Sequence, residues 1–435
     1  MYFLSMFKTL KTIFLEKQFR LKLFWTFLIL IIYEIGQNIL IPGIDKQKLT
    51  DLIDSQYAFN LASSLTAGNL HQFSLFALGL GPYMSALIIW GAFSSFKSFQ
   101  LDRLSKNKSH LLKMLITTII AFIQGFVIAQ EVTTVSSDSV LNSTVFSASF
   151  IIAIILTIGS VYLSWLSDMN SELGIGGPGL LIIAGLVSNL FSGIKIFFEE
   201  YLIYFFNFHS IVFVFVIIVG VYFLLMIMVF MYQAEYRIPV EHIMISSEIS
   251  ADSYISIKLV PAGAMPFMFG ISFFAFARYL ILFLSSYFSL KNSLFDSLLK
   301  NISLSHVNGI VLYLIVLSIL SFAFAFLNIN PGDISESMQK NGDYIINVRP
   351  GKQTEGYINL TLMRMSTIGT FYIDFISVVP LIIGLYNPVF TNYALYLGVL
   401  VTLVSMVLTI IDQVRALTEK YNYDALLPFF DKRGF

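Results

Sequence analysis

Ten mostly apolar stretches, each about 20 residues long, recur along this 435-residue chain, and no other property restricts its fold as much. They cover residues 21–41, 73–93, 111–130, 146–166, 179–196, 211–232, 261–283, 307–327, 365–385 and 393–411, the fifth and tenth being the shortest. A helix needs about 20 apolar residues to cross a hydrocarbon core about 30 Å thick, so each stretch qualifies or nearly qualifies as a span. Hydrophobic residues make up 57% and charged residues 12% of the chain. Soluble domains carry about 25% charged residues, so the chain reads as an all-α polytopic membrane protein.

Basic loops stay on the cytoplasmic side, and with the N-terminus inside, twenty of the 26 Lys and Arg fall in inner segments. Outer loops hold Lys46, Lys48, Lys195, Lys291 and Lys300, while Arg278 lies within a span. Both termini are therefore expected in the cytoplasm. The formal net charge is zero, so no bulk attraction to nucleic acid is indicated. The absence of cysteine excludes disulfides, thiolate metal sites and Cys nucleophiles. Residues 1–20 are basic and set Phe3, Phe7, Leu10 and Phe14 on one helical face, which fits an interfacial helix or a plain basic tail. No small-residue cleavage site follows, so no removable signal peptide is read.

Within the second and seventh stretches a hexamer recurs, Gly79-Leu80-Gly81-Pro82-Tyr83-Met84 and Gly263-Ala264-Met265-Pro266-Phe267-Met268. Proline removes a backbone donor and kinks a helix, and lipid cannot satisfy the freed carbonyls. Both segments should therefore face protein or a water-filled cavity.

The motifs of several other chemistries are missing. His71, His110, His209, His242 and His306 are scattered, with no H-E-x-x-H and no metal-spaced carboxylate cluster, so no metal is expected. Gly174-Ile175-Gly176-Gly177-Pro178-Gly179 matches the G-x-G-x-x-G pattern, and Glu199 follows at a suitable distance. A membrane span fills that interval and no strand precedes it, which defeats a dinucleotide site. No phosphate-loop lysine motif occurs, so the chain supplies no ATPase of its own. Ionisable residues inside spans are functional candidates. Glu34 and Arg278 lie at similar depth and are candidates for an intramembrane ion pair, whereas Asp374 has no obvious partner in the sequence.

After the eighth stretch the chain reads Gly342-Asp343-Tyr344-Ile345-Ile346-Asn347-Val348-Arg349-Pro350-Gly351-Lys352-Gln353-Thr354, then Tyr357 and Arg364. This resembles the G-x-x-I-x-x-I-R-P-G-x-Q-T-x-x-Y-[IL] signature of SecY, the central subunit of the bacterial protein-conducting channel. Further blocks agree in order: Ile41-Pro42-Gly43-Ile44-Asp45, Phe76-Ala77-Leu78-Gly79 with Pro82-Tyr83, Gly174-Ile175-Gly176, Arg237-Ile238-Pro239-Val240, and Ala262-Gly263 with Pro266. The similarity runs from Pro42 to about Leu426.

There are departures too. The loop after the sixth stretch carries Glu235, Glu241, Glu248 and Asp252 against Arg237 and Lys258, where SecY proteins are long and basic. Glu34 replaces an arginine usual in the first span, the region before Phe73 is remodelled, and one residue is missing between Gly176 and Ala184. These features resemble the accessory SecY paralogue of some Gram-positive bacteria, whose family partners a dedicated SecA motor and exports serine-rich repeat glycoprotein adhesins.

The resemblance implies ten transmembrane helices in two inverted five-helix halves around a central pore with a lateral gate. Residues 21–200 and 201–411 would be the halves, 1–20 an interfacial segment, 412–435 a cytoplasmic tail, and 233–260 and 328–364 cytoplasmic loops. It assigns Leu80, Met84, Ile182, Met268 and Ser405, or Val404 in its place, to the ring that seals the pore. Taken singly, each methionine also fits ordinary core packing. Phe59, Asn60, Leu61, Ala62, Ser63, Ser64, Leu65 and Thr66, within 59–68, match the plug, and a surface loop is the competing account. Ser85, Gln124 and Ser272 match a polar cluster at the lateral gate, though single polar residues also serve as generic helix glue. Arg237, Arg349, Pro350, Gly351 and Lys352 match loops that engage the motor. Implied partners are a SecA-type ATPase, SecE- and SecG-like small subunits, accessory export proteins and the substrate's signal peptide, in the bacterial plasma membrane. No cofactor is implied. A housekeeping SecY channel, an ion-coupled transporter and, third, an intramembrane enzyme are the alternatives.

Overall fold

In a computed structural model of the chain, the residues described are 17–41, 68, 73–95, 104–135, 145–201, 208–242, 253–288, 293–304, 306–386 and 388–424. Residues 1–16 of the expected N-terminal interfacial segment and the plug stretch 59–66 lie outside them, while 17–20 begin the first helix. Helices α1 (Lys17–Asn38), α2 (Gly81–Ser95), α3 (Lys106–Val135), α4 (Val145–Leu173) and α5 (Gly177–Tyr201) come first. Then follow α6 (Phe208–Gln233), strands β1 (Glu235–His242) and β2 (Tyr254–Lys258), α7 (Met265–Phe288), α8 (Ser293–Ile302) and α9 (Val307–Asn328). The chain continues through α10 (Pro331–Asn341), β3 (Asp343–Ile345), α11 (Lys352–Tyr386) and α12 (Pro388–Asp424).

Each of the ten apolar stretches corresponds to one helix, and α8 and α10 are short additions. Among the described residues, six helical segments are long and apolar enough to cross a membrane: Lys106–Gln130, Ser149–Leu173, Met265–Ser285, Val307–Asn341, Lys352–Leu385 and Leu397–Thr418. Gly177–Ser188 and Ile218–Gln233 are shorter apolar pieces of α5 and α6. Helix α2 has only 15 residues, about 22 Å at ~1.5 Å per residue, because the first part of its apolar stretch is not helical.

The chain divides into two compact units. The first takes residues up to Glu199 together with Ala275–Leu290 and the stretch from Met406, and the second takes Glu200–Phe274 and Lys291–Ser405. In the first unit α3 and α4 lie side by side. Gly125 brings α3 so close that an added side-chain carbon would stand 3.2 Å from the carbonyl oxygen of Ala153. Around that contact Phe126, Val127, Ile152, Ala153 and Leu156 bury one another with Phe73, Ala77, Leu78 and Tyr279. Lipid is as apolar as these side chains, so close van der Waals fit rather than expulsion of water holds the helices together.

In the second unit the two expected cytoplasmic loops are joined in an antiparallel sheet of order β2-β1-β3, a feature that the all-helical expectation lacked. Its strands are five and three residues long on either side of β1, too short to show a clear period in the sequence. Pro239 is tolerated in the central strand because it pairs with Tyr254 at a position without ladder bonds to β2. Its missing N–H lies on the β3 side, where pairing begins only at Val240. Alternation turns Ile238, Val240 and Ile257 inward onto Met338, Ile345, Ile358 and Leu362. Each large side chain withdrawn from water there contributes about 1.5–3 kcal/mol.

Polar pairs close the end of the sheet. His242 bonds through Nδ1 to Asp343 and through Nε2 to Ser253 Oγ at 2.8 Å, so one side chain ties β1 to β3 and to the residue just before β2. The Tyr344 hydroxyl donates to Glu241, and this bond and charge push the Tyr344 phenol up from its ordinary range. Helix α10 carries its own stops. Asn330 accepts from the Gly332 N–H, Pro331 opens the helix, and Gly342 closes it at φ 78°.

Candidate functional site

The repeated hexamer forms the same local structure twice. Before α2, residues 73–80 turn rather than coil into a helix: Ala77 N–H donates to Ser74 O at 3.0 Å and Gly79 N–H to Phe76 O at 2.9 Å. Before α7, Gly263 N–H donates to Val260 O at 3.1 Å. Gly79 has φ 60° and Gly263 φ 63°, a left-handed conformation that favours glycine. Each helix then starts two residues later, at Gly81 and at Met265, with Pro82 and Pro266 as its second residue. The expectation of kinked helices is corrected accordingly. Each proline stands in a first turn, where a missing N–H costs nothing, and the irregular backbone precedes it.

The turn fixes where the following side chains go. Met84 N–H donates to Leu80 O and Met268 N–H to Ala264 O, closing the first helical turns. Met84 and Met268 are 3% and 1% exposed, and Leu80, Ile182 and Ser405 are buried as well. Leu80, Met84 and Ile182 belong to the first unit, Met268 and Ser405 to the second. Tyr83 reaches sideways from α2, its hydroxyl donating to Asp168 Oδ1 on α4 at 3.0 Å. Of the polar trio, Ser85 Oγ donates to Gly81 O at 3.0 Å and Ser272 Oγ to Met268 O at 2.8 Å, while Gln124 is buried on α3.

Each turn is anchored by residues that the sequence did not single out. In the first unit Ser160 Oγ on α4 donates to Gly79 O at 3.1 Å, and Leu75 N–H donates to Ile39 O at 2.9 Å. Phe76 stacks between Tyr33 and Tyr162, with ring centroids at 6.2 and 6.1 Å. In the second unit Tyr232 hydroxyl donates to Gly263 O at 3.4 Å and is also hydrogen-bonded to Ser405. Asn328 Nδ2 donates to Pro261 O at 3.0 Å, and Leu259 N–H to Ala234 O at 2.8 Å.

The matched loops carry a rigid basic tip. Arg349 and Pro350 are exposed, and Gly351 has φ 96°. Buried Thr354 donates to Arg349 O at 3.0 Å and Ser335 to Gly351 O at 2.8 Å, pinning the tip at both ends. Arg237 stands on the outer face of the sheet, 2.7 Å from Glu235 and 4.5 Å above the ring of Tyr254.

Residues 74–411 match the SecY family profile. The chain belongs to the SecY family. It is 38% identical over 410 residues to the accessory Sec system protein translocase subunit SecY2 of Leuconostoc gelidum subsp. gasicomitatum, covering 94% of this chain and 97% of that protein. It is 34% identical over 411 residues to the SecY2 subunit of Streptococcus salivarius, covering 93% and 97%. Among solved structures, a protein-conducting channel superposes with TM-score 0.66 at 20% identity over 95% of each chain. Sec61 in the canine ribosome–channel complex superposes with TM-score 0.60 at 19% identity, again over 95% of each. The fold is thus that of the ten-span SecY and Sec61 channels.

Three other sequence candidates take definite places in this SecY chain. The glycine run before α5 is a closed turn: Ile175 N–H donates to Thr26 Oγ1 and Gly176 N–H to Gln413 Oε1, both at 2.9 Å. Asn170 Nδ2 donates to the Ile175 and Gly177 carbonyls. Two amides that a phosphate would need are thereby occupied. Asp374 does have a partner, the Ser318 hydroxyl on α9 at 2.7 Å, which no sequence spacing revealed. Glu34 is exposed on α1, with Asn38 Nδ2 3.4 Å from its carboxylate. No cluster of three metal-ligating side chains occurs among the described residues.

Proposed function

We propose that the chain is the channel subunit of an accessory Sec translocase, moving dedicated preproteins across the bacterial plasma membrane with a SecA-type motor. Large serine-rich repeat glycoprotein adhesins are the substrate class of this reading. SecE- and SecG-like subunits and accessory export proteins complete the assembly, and both termini lie in the cytoplasm. The observation that carries the channel is the matched pair of turns, each starting a helix that buries one methionine a single turn in. A constriction of apolar side chains excludes ions by dewetting, and a thioether yields around chains of different width. Leu80, Met84, Ile182, Met268 and Ser405 are its proposed ring, with 59–68 as plug and Ser85, Gln124 and Ser272 lining the lateral gate. Glu34 with Arg278 is the proposed intramembrane ion pair. The rigid tip at Arg349 and Arg237 on the outer face of the sheet are the proposed motor contacts. The accessory assignment draws support from the SecY2 names of the relatives and from the acidic loop after α6.

The test is ion conductance of reconstituted vesicles at rest. Met84→Gly combined with Met268→Gly should raise it on the order of tenfold over the parent chain, and an unchanged conductance removes the ring. An ion-coupled transporter is the second reading, favoured by Asp374, whose Oδ1 is buried without a hydrogen-bond partner among the described residues. Asp374→Asn separates the two: a channel keeps exporting at the parental rate, a carboxylate-coupled transporter stops.

A further inference from the structure

Both turns are met at the same point by a glycine on a neighbouring helix. A side-chain carbon added at Gly159 of α4 would lie 1.9 Å from the carbonyl oxygen of Leu75, and one added at Gly369 of α11 would lie 2.8 Å from that of Leu259. Leu75 stands four residues before Gly79, and Leu259 four before Gly263. Counted from the left-handed glycine, the two carbonyls are equivalent. Helices α4 and α11 are the fourth and ninth of the ten long helices, the pair that an inverted five-helix repeat exchanges. Nor is such a contact general to helical glycines, since Gly220 and Gly356 meet nothing within 4 Å.

A carbon so close to a backbone oxygen forces the carbonyl to move, and the carbonyl belongs to the turn that sets the start of the next helix. From Leu75 the chain runs through Gly79 to Leu80 and Met84, and from Leu259 through Gly263 to Met268, with no slack segment between. In the first unit the contact is doubled, because Ser160 beside Gly159 holds the Gly79 carbonyl at 3.1 Å. In the second, Thr370 beside Gly369 bonds instead to Ser321 at 3.0 Å.

We propose that Gly159 and Gly369 are paired positioning residues that fix the placement of the two turns and, through them, the burial of Met84 and Met268. The role in sealing rests on the channel reading above; the placement itself does not. The chain has no cysteine, so Met84→Cys and Met268→Cys each introduce a single thiol. In the reconstituted full chain, the rate of labelling by a membrane-impermeant maleimide reads the exposure of each position.

Gly159→Ala should raise labelling at position 84 on the order of tenfold while position 268 stays within about twofold, and Gly369→Ala should do the reverse. Gly220→Ala should change neither. Should Gly159→Ala fail to fold, Ser160→Ala should still raise labelling at position 84 alone, by roughly threefold. General loosening of the fold would expose both thiols together, so equal changes at the two positions, or none in a folded variant, overturn the proposal. Conductance of the Met84→Gly, Met268→Gly chain separates the two ideas. Site-selective labelling with no leak in that chain overturns the channel and leaves the positioning role, whereas a leak with unselective labelling overturns the positioning role alone.

Discussion

Residues 73–80 and 259–264 turn in the same way, with Gly79 at φ 60° and Gly263 at φ 63°, yet they are held by different chemistry. Aligned on those glycines, Phe76 falls opposite Val260. Phe76 is a wedge: its ring lies between Tyr33 and Tyr162 and occupies the space above Gly36, where an added carbon would be 2.0 Å away. Val260 is buried but has no such slot, and its turn depends on bonds from Tyr232, Asn328 and Leu259. Backbone shape is set by the spacing of glycine and proline, so it repeats. Anchorage depends on whichever side chains neighbouring helices supply, so it diverges. Hydrogen bonds, individually weak in a membrane, help to hold both turns, and only the first adds an aromatic wedge.

Three substitutions probe that difference. Phe76→Ala, with the largest effect, should destabilise the protein by roughly 3–5 kcal/mol in detergent unfolding, since it removes an aromatic ring from a closed slot. Val260→Ala should cost only about 1–2 kcal/mol, because fewer atoms are removed and less cavity is left. Comparable losses for the two would erase the contrast. Tyr232→Phe should be mildest, about 1 kcal/mol, as the hydrogen bonds to Gly263 and Ser405 are lost without a cavity. A loss as large as that of Phe76→Ala would show the second turn to be held as firmly as the first.

The spans, their order and the hexamer pair were legible in the sequence because each rests on a long apolar run or on residues with a fixed backbone preference. The prolines were seen, but their role was not: whether a proline kinks a helix or opens one depends on the backbone before it, and 73–80 is too apolar to announce a turn. Tyr254-Ile255-Ser256-Ile257-Lys258 is too short for its alternation to mark a strand, and the β1 strand that it pairs with takes its other partner from Asp343–Ile345 far along the chain. Such pairing leaves no local trace. Ser160, Tyr232, Ser318 and Asn328 were passed over for a related reason. A hydroxyl or amide in a span looks the same whether it bonds its own helix, as Ser85 does, or a carbonyl in another element.

The sheet has a mechanical consequence. Helix α11 continues without a break for 35 residues from the base of the Arg349 tip, about 52 Å at ~1.5 Å per residue. Strand β3 clasps the tip's near end to β1, and Ser335 and Thr354 brace the bend. A push on Arg349 therefore meets no slack loop to absorb it. The load passes into a strut that starts outside the membrane and runs deep into it, with the sheet as its collar.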